Sequence, residues 1–147
     1  MTRRTPHGWL RLAAFAALGA CAACGATAPA VTVVTPLPRG EDPSIVVIAA
    51  RQREAVITAL TAAGFRIAER VQESPYLLRV TLGVDQGSRA CGTLNNVRYA
   101  LRRDQQTIVE VSAKGWTGTC VPSVFNDASR ALRASVVAMT GATGGSE

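Results

Sequence analysis

Val97-Arg-Tyr-Ala-Leu-Arg-Arg-Asp-Gln-Gln-Thr-Ile-Val-Glu-Val-Ser-Ala-Lys114 decides the fold. Val97, Tyr99 and Leu101 alternate with Arg98, Ala100 and Arg102. Beyond a turn at Asp104-Gln105-Gln106, Val109, Val111 and Ala113 alternate with Glu110, Ser112 and Lys114. Such period-two alternation on both sides of a turn predicts a hairpin with one buried face. Matching apolar to apolar sets Leu101 opposite Val109, Tyr99 opposite Val111 and Val97 opposite Ala113. A one-residue slip would put Tyr99 beside Ser112 and scatter the buried face, so this register is forced. The outer face then holds Arg98, Arg102, Glu110 and Lys114, with Glu110 diagonal to both arginines.

Continued upstream unchanged, the register sets Cys91 opposite Thr119 and misses Cys120 by one residue. Gly115-Trp116-Thr117-Gly118 lies between. A bulge at either glycine would supply the missing residue and oppose the two cysteines. The sequence therefore predicts a Cys91–Cys120 disulfide.

Around the hairpin the elements are shorter. Phe65–Val71 and Tyr76–Leu82 read as strands separated by Ser74-Pro75, and Asp85-Gln-Gly-Ser88 reads as the next turn. From Arg51 a helix presents Val56, Ile57 and Leu60 on one side and Arg51, Arg53 and Glu54 on the other. It is closed by Gly64, with Phe65 folding back on the last turn. Ile45–Ile48 just before it satisfies both strand and helix, by β-branching and by helical spacing respectively. A final helix begins at Ser123 or Asn126, carries an apolar stripe of Ala128, Leu132, Val136 and Met139, and ends at Gly141. The expected fold is α+β: a two-layer sandwich, an antiparallel sheet of about four strands with two helices on one face. Its expected extent is 44–141, preceded by a flexible linker over 21–43 and followed by a disordered tail at 142–147. Within the linker, Ala30–Thr35 alternates enough to form an edge strand.

The chain has 147 residues, 48% of them hydrophobic and 18% charged, which suits one folded domain and excludes a disordered polyelectrolyte. Aromatics at 5% supply no stacking platform for single-stranded nucleic acid. Removing Arg3, Arg4 and Arg11 of the first twenty residues from the formal +6 leaves +3, too little for a nucleic-acid footprint. A mildly basic body suits contact with anionic lipid or glycan.

At the amino terminus a basic start precedes a nine-residue apolar run, Leu12–Ala20, and then Cys21. The run is far short of the roughly 20 residues that span a bilayer, and the layout is that of a secretory signal peptide. Leu18-Gly19-Ala20-Cys21 resembles the lipobox of bacterial lipoproteins. The resemblance implies that 1–20 are removed and that the Cys21 sulfur carries diacylglycerol, with the new amine then acylated. Cys21 would thus hold the chain on the lipid bilayer. Ala22, where inner-membrane relatives carry aspartate, implies the outer membrane. The alternative is plain secretion, with cleavage after Ala28 or Ala30.

Chemistry-bearing motifs are sparse. His7, the single histidine, lies in the leader, which removes Ser-His and Cys-His nucleophile pairs and histidine zinc ligands from the body. Neither a cofactor nor a metal site is expected, and no catalytic residue is assigned. Cys21-Ala-Ala-Cys24 has redox spacing, but an alkylated sulfur does not cycle. Ser112-Ala-Lys114 lies on a polar strand face without a second motif. Glu110 stands among arginines, which suits a stable carboxylate rather than a general acid. A possible binding surface comprises Arg98 and Arg102, with Arg66, Arg70 and Arg79 on neighbouring strands. Trp116 is either a further contact there or a lid over the core edge. The layout resembles small envelope lipoproteins, some of them auxiliary to lipid or lipopolysaccharide transport. The expectation is a periplasm-facing, non-enzymatic binding or assembly accessory whose partner is an envelope protein, anionic lipid or glycan, and not nucleic acid. A purely structural surface lipoprotein and a periplasmic hydrolase or inhibitor-like module are the alternatives.

Overall fold

A computed structural model describes residues 26–120 and 123–141. The expectations for the signal peptide, Cys21, Cys24 and the tail fall outside the described residues. In chain order the elements are β1 (Thr27–Val33), β2 (Ser44–Ala49), α1 (Arg53–Ala62), β3 (Arg66–Ala68), β4 (Tyr76–Leu82), β5 (Ser88–Arg89), β6 (Gly92–Arg103), β7 (Gln106–Gly118) and α2 (Val124–Gly141). The strands form one seven-stranded sheet in the order β1-β7-β6-β4-β2-β3, with β5 paired to β6.

This corrects the expected four-stranded antiparallel sheet. The sheet is wider and mixed: β2 runs parallel to both β3 and β4, and it lies between them. The strands on either side of Ser74-Pro75 therefore do not pair with each other. The physical reason lies in Ile45-Val46-Val47, all three buried, at 0%, 5% and 3% exposure. A run apolar on both faces is suited to the interior of a parallel arrangement, not to a half-solvated edge. Ser74 secures the junction, its hydroxyl donating to the Ser44 carbonyl.

The central hairpin follows the forced register: Val97 faces Ala113, Tyr99 faces Val111 and Leu101 faces Val109. The turn is tighter than expected, with Asp104 and Gln105 both at positive φ, as a two-residue hairpin turn requires. The spare residue is Ile108, which bulges from β7 just after the turn and is buried. The Ile108 carbonyl accepts the backbone N–H groups of Val34 (2.7 Å) and Thr35 (3.2 Å), closing the end of β1 onto β7.

Val97, Tyr99 and Leu101 of β6 and Val109, Val111 and Ala113 of β7 enter the core. There they meet Val56, Ala59 and Leu60 of α1 and Val124, Phe125, Ala128, Leu132 and Val136 of α2. Both helices thus cover one face of the sheet. Helix α1 ends as expected, with Gly64 at φ 92° and the Phe65 N–H returning to the Leu60 carbonyl at 3.0 Å. The Ser123 carbonyl accepts the first N–H groups of α2, from Asn126 (3.1 Å) and Asp127 (3.3 Å). The segment after β1 is fastened beneath the helices. Leu37 enters the core, Asp42 accepts from Arg133 at 2.7 Å, and the Tyr76 hydroxyl donates to Glu41. No helix among the described residues is long and apolar enough to cross a membrane.

Candidate functional site on the open face of the sheet

With both helices on one side, the even-numbered side chains from Asn96 to Arg102 on β6 and from Glu110 to Lys114 on β7 form an open face. Pairing places Thr81 opposite Arg98, Arg79 opposite Ala100 and Leu77 opposite Arg102. It also places Arg98 opposite Ser112 and Ala100 opposite Glu110, while Ala30 and Thr32 of β1 lie beyond. Four cations, Arg79, Arg98, Arg102 and Lys114, share this face with one carboxylate, Glu110. Arg79 is diagonal to both Arg98 and Arg102, about 7–8 Å away by ordinary sheet geometry. Arg98 reaches Glu110 at 3.2 Å, whereas Arg79 and Lys114 have no ion-pair partner among the described residues.

The face is hollowed between β1, β4, β6 and β7 into a depression of about 510 Å³. Its polar lining comes from Thr27, Thr81, Asn96, Arg98, Ser112 and Lys114. A guanidinium, an ammonium, three hydroxyls and an amide line it, and no carboxylate does so among the described residues. Backbone geometry holds the rim: the Lys114 N–H donates to the Thr27 hydroxyl at 3.3 Å, and Gly83 N–H donates to the Asn96 carbonyl at 2.6 Å. Donor-rich, acid-poor lining of this kind suits an anion with several acceptor oxygens.

The anticipated surface residues separate in space. Arg98 lines the depression. Arg102 stands half-buried at the far end, donating to the Gln105 carbonyl beside a smaller hollow of about 300 Å³. Arg66 is taken up by Asp42 (3.8 Å) and Arg70 by Glu73 (3.8 Å), so neither joins the open face. Trp116 is only 7% exposed and packs with Leu94, Cys120 and the partly buried Cys91, under the Arg89 guanidinium at 4.4 Å from its ring centroid. It serves as a lid over a minor core rather than as a contact surface. Thr27, Thr81 and Asn96 escaped the sequence reading. Asn96 was within reach, since the hairpin register continued upstream sets it opposite Lys114; only the pairing of β1 and β4 onto the hairpin would have revealed Thr27 and Thr81.

Cys91 and Cys120 form the disulfide, with Cα atoms 4.9 Å apart. The register stays unbroken through Gly92 opposite Gly118, so the extra residue enters just beyond Gly118, at φ 92°. There the Cys91 carbonyl accepts both the Thr119 N–H (2.6 Å) and the Cys120 N–H (3.1 Å), the two-against-one pattern of a bulge. On the helix side of the same corner, the Asn95 amide donates to the Thr93 (2.8 Å) and Thr117 (3.1 Å) hydroxyls, which satisfies a buried polar side chain.

No family model and no curated protein matches the chain. Among solved structures it is similar to the PelC dodecamer from Paraburkholderia phytofirmans. Identity is 17% and the TM-score 0.40, over 76% of this chain and 96% of that one. A PelC variant dodecamer from the same organism matches at 14% identity and TM-score 0.42, over 76% and 97% of the two chains. A likeness of this degree assigns no function.

Proposed function

We propose that the chain is a membrane-anchored envelope lipoprotein that works without catalysis, binding an anionic partner on the open face of its sheet. The observation that carries this reading is the depression lined by Arg98 and Lys114 with no carboxylate in its described lining. Its polar side chains donate hydrogen bonds and positive charge. No described lining side chain is an imidazole or carboxylate suited to take a proton near neutral pH. The anchor rests on Leu18–Cys21, which has the lipobox pattern. The Cys91–Cys120 bond favours an oxidising compartment such as the periplasm. Acyl chains on one cysteine hold a protein at a bilayer without apolar surface elsewhere.

The test has two arms. Labelled palmitate enters the wild-type chain and not Cys21→Ser, and that variant leaves the membrane fraction. A photo-crosslinker at Arg98 or Lys114 captures an envelope component in cells, and the same probe at Arg130 on α2 does not. Absence of palmitate incorporation removes the anchor, and equal capture from both faces removes the binding site.

A further inference from the structure

We infer that the ligand of the open face is the anionic headgroup layer of the bilayer that holds the anchor. This rests on the lipoprotein reading above. Two independent observations point there. The first is charge: four cations against one carboxylate, with Arg79 and Lys114 lacking an ion-pair partner among the described residues. The second is reach. Thr27, the first residue of β1, itself lines the depression, and it stands only six positions after Cys21. Even fully extended, six residues span no more than about 20 Å. The rim of the basic hollow is therefore confined to the immediate neighbourhood of the lipid–water boundary, whatever path those residues take.

Confinement at that distance makes headgroup binding effectively intramolecular. Each cation gains from the surface potential of anionic lipid only within about one Debye length, roughly 8–10 Å, and the tether permits that approach. Arg98 and Arg79 offer planar forks for phosphate oxygens. Thr27, Thr81 and Ser112 offer hydroxyls to the remaining acceptors. The helices lie on the other face, so the molecule would sit sheet-down, with α1 and α2 pointing away from the bilayer.

Lys114 is the only lysine in the chain, so amine labelling reads the depression directly. The acylated protein is reconstituted into vesicles of phosphatidylcholine alone, or with about a third phosphatidylglycerol. The variant Arg130→Lys carries a second lysine on exposed α2 as an internal reference. The expected result is that anionic vesicles slow labelling of Lys114 about fivefold relative to the reference lysine, and that Arg98→Glu abolishes most of this difference. Equal slowing of both lysines, or equal rates on both vesicle types, overturns the inference while the palmitate result stands. Protection of Lys114 on neutral vesicles by inorganic phosphate or a soluble acidic glycan, with none from phosphatidylglycerol, overturns it in favour of a free ligand. Failure to incorporate palmitate strikes the lipoprotein reading itself.

Discussion

The Arg89 guanidinium lies over the Trp116 ring at 4.4 Å from its centroid, and together with the Cys91–Cys120 bond it seals the small core around Leu94. A guanidinium on an indole contributes about 0.5–1 kcal/mol at a site of this kind. Arg89→Ala should therefore cost little stability but expose the indole. In a chain carrying Trp9→Phe, so that Trp116 is the sole emitter, its fluorescence shifts to longer wavelength while the disulfide stays intact.

Removing the bond itself costs more. Cys91 and Cys120 are 29 residues apart in sequence, and closing a loop of that length contributes about 3–4 kcal/mol through the unfolded state. The double variant Cys91→Ser with Cys120→Ser should unfold at markedly lower denaturant concentration than the oxidised parent, and reductant should bring the parent to the same midpoint.

Both tyrosines of the chain are buried, and burial pushes each hydroxyl up to about 12. At Tyr76 the hydrogen bond to Glu41 adds to the burial. A folded value above the unfolded one means that the protonated native state is favoured. This stability is fully present below about pH 10 and is lost as pH rises from there toward 12. Tyrosinate absorbance should therefore stay silent through pH 10 and appear together with loss of the folded circular-dichroism signal. Titration of either hydroxyl near 10 in the folded protein would contradict the burial.

Asp42 behaves in the opposite sense. The hydrogen bond from Arg133 holds its carboxyl below the ordinary value, with the charges of Arg133 and Arg66 adding to it. This contribution is present above the unfolded value near 4 and is lost as pH falls below it. Asp42 is half exposed, so the effect is about 1 kcal/mol at most. Asp42→Asn should lower the unfolding midpoint at pH 7 and leave it nearly unchanged at pH 3.

The strand pairing of the hairpin was legible because Tyr99 and Val111 tolerate only one register, whereas the Ile108 bulge and the two-residue turn were not. The end of the first helix was legible in Gly64, and the start of the second only to within a turn, since Ser123 and Asn126 both offer cap chemistry. Ile45–Ile48 was not, since an apolar run without alternation carries no period, and its two parallel partners lie on either side of it in the sheet. The same gap hid most of the candidate site. Arg98 announced itself by alternation. Its neighbours Thr27 and Thr81 reach the depression only because β1 closes onto β7 and β4 onto β6, which are pairings that no local pattern encodes. Trp116, flanked by small residues, fitted a surface contact and a core lid equally, and the disulfide corner beside it settled the matter.

Thr27 pairs with Lys114, 87 positions later, so the first strand among the described residues has to wait for the last. Until β7 is in place, β1 has no neighbour, and closing so long a loop is slow. A chain emerging amino end first would therefore spend part of its assembly with its opening strand unpaired. Its final annealing along β7 would bring Thr27 beside Lys114 and complete the rim of the basic hollow as the last step of the sheet.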